Sequence, residues 1–98
     1  MKKILETAVY IRWFKKLKDH EARRRISVRI ERLRGDNFGD VRPVGQGISE
    51  LRIDYGPGYR VYLTQRGPVL IVLLCGGDKS TQADDIAKAK AIADDLKE

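Results

Sequence analysis

Apolar residues recur at helical spacing along the first third of the chain. Tyr10, Trp13, Phe14 and Leu17 fall at i, i+3, i+4 and i+7, one face of a helix that begins near Ala8. Ala22, Ile26, Ile30 and Leu33 repeat the pattern and leave Arg24, Arg25 and Arg32 pointing away from it. Asp19 is the expected N-cap of this second helix, with Glu21 in its first turn and Gly35 as its stop. Two helices joined at Lys18-Asp19 read as an αα-hairpin. Ahead of them, Lys2 to Glu6 is either an edge strand or the lead-in to the first helix.

After Gly39 the period changes to two. Val41 to Gln46 carries Pro43, which fits an edge or the start of a strand. Leu51 and Ile53 alternate within Ile48 to Asp54, and Tyr55-Gly56-Pro57-Gly58 has the composition of a turn. Tyr59 to Gln65 is strand-like, and Arg66-Gly67-Pro68 is a second turn. Val69 to Cys75 is unbroken in its apolar character, the signature of a strand buried on both faces, and Gly76-Gly77 is expected to end it. Ser80 or Thr81 caps a last helix, with Thr81 and Asp84 at capping-box spacing and Ile86, Ala89, Ala93 and Leu96 as a narrow apolar stripe.

The order is therefore (β)-α-α-β-β-β-β-α, and short turns between the later strands demand antiparallel pairing. The predicted fold class is α+β. One domain, residues 1–98, has an N-terminal αα-hairpin and a C-terminal helix packed on a mostly antiparallel sheet of four to five strands. The helices are expected on one face of that sheet, with the other face partly open.

Composition narrows the chemistry. An apolar fraction of 42% in 98 residues supports one modest core. A single Cys excludes a disulfide framework, and a single His excludes a multi-His zinc site. The longest apolar run falls far short of the ~20 residues that span a bilayer. Met1-Lys2-Lys3 leads into a stretch interrupted by Glu6 and Arg12, so no signal peptide is expected and the predicted location is cytoplasmic. The net charge is +6, and its excess lies in residues 1–34, where 12 Lys and Arg face four acids. Such a block favours a polyanionic partner, most often nucleic acid.

Period two then places a polar patch. If Leu51 and Ile53 face the core, Glu50, Arg52 and Asp54 share the opposite face; likewise Val61 and Leu63 set Arg60, Tyr62, Thr64 and Arg66 against it. A hairpin centred on Gly56 brings Arg52 across from Arg60 and Glu50 across from Tyr62. Two facing guanidiniums repel, a cost relieved by a bound anion or by Glu50 between them. A loop after Gly76-Gly77 can carry Lys79 over the same face. Glu50, Arg52, Arg60, Tyr62 and Lys79 together suit phosphodiester chemistry on RNA, which needs a proton acceptor, cations for the phosphorane and a proton donor for the leaving oxygen. The same residues also fit an ordinary ion-pair ladder of Glu50 with Arg52 or Arg60. His20 is expected as a cap or solvated side chain in the interhelix turn, and Cys75, Trp13 and Phe14 as core.

Four stretches carry a resemblance: Phe14-Lys15-Lys16-Leu17; Gly45 to Arg52 (Gly-Gln-Gly-Ile-Ser-Glu-Leu-Arg); Gly58-Tyr59-Arg60-Val61-Tyr62; and Leu74 to Gln82 (Leu-Cys-Gly-Gly-Asp-Lys-Ser-Thr-Gln), followed by Asp84 to Ala89. With them the chain resembles the RelE/ParE toxin superfamily, most closely its HigB-like addiction module killer branch, over nearly its whole length. The resemblance implies a RelE-like fold and the toxin of a type II toxin–antitoxin pair. It implies a ribosome-dependent mRNA endoribonuclease that inhibits translation, cutting in the ribosomal A site by 2′-OH attack without a metal or cofactor. Arg60 matches the strand arginine that holds the scissile phosphate, Arg52 a basic residue on the preceding strand, and Lys79 falls near the basic residue after the last strand. Glu50 stands where the best-studied relatives have lysine, and the C-terminal Tyr or His of many active members has no counterpart in Asp84 to Glu98. Glu50 is then the candidate base and Lys79 or Tyr62 the candidate acid. Arg23, Arg24, Arg25 and Arg32, with Arg29 and Arg34, suit docking to ribosomal RNA phosphates. The implied partners are the ribosome and mRNA, a helix-turn-helix, HigA-like antitoxin, and operator DNA through the antitoxin complex, with no membrane. The alternatives are a ParE-like gyrase-inhibiting toxin and a non-catalytic basic nucleic-acid-binding module.

Overall fold

The computed structural model describes residues 1–96. The elements run β1 (Lys3–Glu6), α1 (Ala8–Lys16), α2 (His20–Arg34), β2 (Val41–Gly45), β3 (Ile48–Ile53), β4 (Tyr59–Arg66), β5 (Leu70–Asp78), a 3-10 turn (Lys79–Thr81) and α3 (Gln82–Asp95). Lys2 to Glu6 is thus a strand lead-in and strand, not part of the helix. The five strands form one sheet in the order β1-β5-β4-β3-β2. β1 runs parallel to β5, and the other three pairings are antiparallel. Pro43 sits on the edge strand β2, where its missing N–H costs no ladder bond to a further strand.

Both hairpin helices start as their sequences dictate. Thr7 caps α1 by accepting from Tyr10 N, and Asp19 caps α2 by accepting from Glu21 N and Ala22 N. Their apolar faces meet one side of the sheet: Tyr10, Ile26, Ile30 and Leu33 pack with Leu51, Ile53, Val61, Leu63, Ile71 and Leu73. Tyr10, Trp13 and Phe14 form an aromatic run on this side, and Trp13 meets Tyr59 edge-on at 6.4 Å.

The expectation of a partly open second face is corrected. α3 covers it: Ala89 and Ala93 pack with Ile48, Tyr62, Val72, Leu74 and Cys75 in a second core. A bulge in β5, where the register to β4 shifts between Tyr62 and Leu63, turns both Leu74 and Cys75 to this side. The helices therefore flank the sheet rather than share a face.

Three local expectations also change. β5 does not stop at Gly76-Gly77 but continues to Asp78. These glycines are close-approach positions: a Cβ on Gly76 would collide with the Trp13 indole, and one on Gly77 with the Asp85 carboxylate. Thr81 occupies the N-cap position of α3 without a side-chain cap bond, because its hydroxyl donates to Asp85 Oδ2 at 2.6 Å. Asp78 instead caps the preceding 3-10 turn through Ser80 N. His20 is the exposed first residue of α2, not part of the connection. No helix among the described residues is long and apolar enough to cross a membrane.

Candidate functional site

The β3–β4 register is the one that period two predicts: Arg52 lies across from Arg60 and Glu50 across from Tyr62. The 3-10 turn after β5 brings Lys79 to the same end of the sheet. Arg52, Arg60 and Lys79 line one concavity of ≈ 290 Å³, together with Gly58, Ile53, Asp40 and Asp54. Among the described residues neither Arg52 nor Lys79 forms an ion pair, and Arg60 approaches only Glu50. Three cations thus converge beside two carboxylates, Asp40 and Asp54, without an ion pair to either.

Glu50 and Tyr62 are not where an open face would have put them. Both are buried beneath α3, at 1% and 0% exposure, and neither lines the concavity. They stand behind Arg60. Glu50 Oε2 accepts from Tyr62 Oη at 3.1 Å and from Gln82 Nε2 at 2.7 Å. Arg60 Nε lies 3.5 Å from the same oxygen, an ion pair without a hydrogen bond. Burial, reinforced by the Glu50 charge, pushes the Tyr62 phenol well above its ordinary range, so it stays protonated and donates. Arg60 Nη1 donates back to Gly58 O at 2.9 Å. The guanidinium is therefore held by its own turn on one side and by a buried carboxylate on the other, and its outer edge faces the concavity.

Residues that sequence reasoning missed complete the arrangement. Gln82 and Asp85 open α3 and point inward, on the stripe that continues through Ala89 and Ala93. The signal was the spacing: positions 82, 85, 89 and 93 share a helix face, so two polar residues on an apolar stripe mark polar work beneath it. Asp85 is buried, accepts from Thr81, and its main-chain carbonyl lies 3.6 Å from Cys75 Sγ. Burial and the Asp85 charge push the Cys75 thiol up to about 12, which suits an inert core residue.

A second concavity, of ≈ 380 Å³, adjoins the first through Ile53 and Asp54 and is lined by Arg24, Arg25, Arg29, Arg32 and Val28. These arginines differ in freedom. Arg29 is a staple, donating to Arg52 O at 2.6 Å and to Phe38 O and Asp40 O at 3.4 Å, and burial pulls its pKa down. Arg23 stacks over Phe14, and Arg34 pairs with Glu31. Arg24 and Arg25 share Glu21, whose carboxyl their hydrogen bonds lower to about 2. Arg25 also lies over the Tyr55 ring at 4.7 Å, while Tyr55 Oη donates to Asp19. That hydrogen bond, with the one from Ala22 N, lowers the Asp19 carboxyl and pins the β3–β4 turn to the start of α2. Of the predicted RNA-docking set, Arg24, Arg25 and Arg32 are exposed, whereas Arg23 is half-buried.

A protein of Haemophilus influenzae, described as uncharacterized, is 53% identical over 93 residues, which covers 95% of this chain and 94% of its own. The chain belongs to the family of that Haemophilus protein. No protein-family model matches it. At this identity, end to end, the two members share one fold, and a site built on β3, β4 and the start of α3 lies wholly within the matched length.

Proposed function

We propose that the protein is a ribosome-dependent mRNA endoribonuclease of RelE-like fold, the toxin of a type II toxin–antitoxin pair. The observation that carries this reading is the convergence of Arg52, Arg60 and Lys79 on one concavity, with Arg60 buried and braced from behind. In the proposed reaction the 2′-OH of the mRNA gives its proton to solvent water as its oxygen bonds to the adjacent phosphorus, the P–O5′ bond breaks, and a 2′,3′-cyclic phosphate is left. Arg60 grips the scissile phosphate with its outer edge, Arg52 adds charge from the neighbouring strand, and exposed Lys79 is the group placed to protonate the leaving 5′-oxygen. Oriented donors of this kind are each worth ~10²–10³ in rate. Glu50 and Tyr62 serve as positioning residues for Arg60 rather than as groups that meet the RNA. Arg24, Arg25 and Arg32 supply electrostatic docking to ribosomal RNA. The partners are then a HigA-like antitoxin, which holds the toxin silent and with it binds operator DNA, and the ribosome with its mRNA.

The burial of Glu50 favours a second reading, because no carboxylate of the predicted set is left in contact with a bound strand: a non-catalytic basic module that binds RNA. Incubating the purified protein with programmed ribosomes separates the two. The nuclease yields mRNA fragments ending in 2′,3′-cyclic phosphate, and the binding module leaves the message intact. Induction in a bacterial host separates both from a ParE-like toxin: translation stops before DNA replication for the nuclease, whereas replication stops first for a gyrase inhibitor.

A further inference from the structure

Glu50 Oε2 is crowded. Tyr62 Oη, Gln82 Nε2 and Arg60 Nε all converge on this single oxygen, at 3.1, 2.7 and 3.5 Å. A carboxylate oxygen has two lone pairs in good acceptor geometry. Tyr62 and Gln82 occupy both. Arg60 Nε is consequently left as a buried donor with no hydrogen-bond partner among the described residues. Such orphans are uncommon and costly. In a buried arginine beside a buried carboxylate, the expected outcome is a short, charge-assisted bond between them. Here a neutral amide from the first residue of α3 has taken that place.

We infer that Gln82 is a positioning residue: by occupying Glu50 Oε2 it keeps the carboxylate from drawing Arg60 inward through its buried Nε, and so holds the Nη end of the guanidinium toward the concavity for a phosphate. The inference rests on Arg60 as the anion clamp of the proposed function. Glu50 then orients Arg60 through charge at 3.5 Å without consuming its donors. Gln82 also ties the start of α3 to the centre of the sheet, so the hold on Arg60 depends on the helix being docked.

Two substitutions test this, with a labelled single-stranded RNA oligonucleotide as the probe and the full chain as the protein. Gln82→Ala vacates the lone pair, and Arg60 Nε swings onto Glu50. The Nη end is then drawn back from the concavity, and RNA affinity falls about tenfold, the size of one charge-assisted hydrogen bond lost to the phosphate, at every pH between about 5 and 8. Gln82→Glu instead puts a second carboxyl against Glu50. Around the pair stand Arg60 and Tyr62 on β4, Arg42 across from Glu50 on β2, and Asp85 on α3. Two carboxyls in contact share a proton at raised pKa. Near pH 8 the introduced group is an anion and binding is weak; toward pH 5 it is protonated, donates to Glu50 as the amide did, and restores binding. A role in stability alone does not give this acid rescue. The NMR signal of the Arg60 Nε–H gives a readout that needs no RNA: in Gln82→Ala it moves downfield and exchanges more slowly as the new bond forms. Native-like RNA binding by Gln82→Ala, loss without acid rescue in Gln82→Glu, or an unmoved Arg60 signal would each overturn the inference. If the native protein binds no free RNA, the cleavage assay on programmed ribosomes decides the proposed function, and the Arg60 signal alone decides this assignment.

Discussion

The two faces of the sheet are built on different principles. Beneath the αα-hairpin, the buried residues are aliphatic or aromatic, and the packing of Leu51, Val61, Leu63 and Leu73 on Ile26, Ile30 and Leu33 needs no polar satisfaction. Beneath α3, the same strands bury Glu50, Arg60 and Thr64, and α3 adds Asp85. One face gains its stability from area removed from water. The other accepts the desolvation of charged groups and arranges hydrogen bonds to offset it. A protein that needed only to fold would have little use for the second arrangement. Both sides bury an apolar core, and the buried charges are set into the one beneath α3.

The largest expected effect that sharpens the contrast is Leu51→Ala. It empties a fully buried site on the hairpin face and should cost ~2–5 kcal/mol by denaturant titration. RNA cleavage per folded molecule should be unchanged. On the opposite face, Glu50→Gln removes charge next to buried Arg60 while keeping shape. Its expected stability cost is comparable, ~3–5 kcal/mol, because the buried guanidinium loses its counter-charge, and cleavage per folded molecule should drop several-fold as well. If the two variants behaved alike in both assays, the division between faces would not stand.

How much of this was legible in the sequence follows the same division. The hairpin helices, their caps at Asp19 and Gly35, and the pairing of Arg52 with Arg60 all follow from periodicity and turn chemistry. The cover over the second face did not, although one signal pointed to it. An unbroken apolar run over Val69 to Cys75 demands burial on both sides, which a half-open sheet cannot supply. The helix that answers this demand has Ala89 and Ala93 at its contact, too small a stripe to reveal which face it would choose. Gly76-Gly77 reads as punctuation because glycine more often breaks strands; here it admits Trp13 from one side and Asp85 from the other, a tertiary reason that no local pattern encodes. The same burial carried Glu50 and Tyr62 out of reach of a ligand, while Arg52, Arg60 and Lys79 ended together as predicted.

The arginines of α2 offer smaller effects. Replacing Arg24, Arg25 and Arg32 by Ala should flatten the slope of log affinity against log salt for ribosomes by ~2, at roughly 0.7–0.9 per phosphate contact. Stability should hardly change, since these side chains are exposed. An unchanged slope would place docking on another surface. Glu21 supplies the smallest effect and a pH signature. Its folded pKa is lowered from the ordinary 4.5 to about 2 by Arg24 and Arg25. Its contribution to stability is therefore present above pH 4.5 and lost as pH falls through about 2. Glu21→Gln should flatten the acid-unfolding profile in that window. It should also tighten RNA binding slightly, because Arg24 and Arg25 lose their internal partner. Weaker binding in this variant would show that the Glu21 pairing serves the docking surface rather than competing with it.

The central claim is that Arg60, braced by a buried carboxylate, grips a phosphate in the reaction. Because Arg60 is buried, Arg60→Ala mixes lost chemistry with lost packing, and Arg60→Lys is the cleaner change: it keeps the charge and most of the stem but removes the planar fork. The measurement is the rate of mRNA cleavage on programmed ribosomes by purified Arg60→Lys, normalised to the folded fraction from its melting curve. The account predicts a protein that melts near the native temperature and cleaves about 100-fold more slowly, a loss of ~3 kcal/mol of transition-state stabilisation. A folded Arg60→Lys protein that cleaves at the native rate would contradict it.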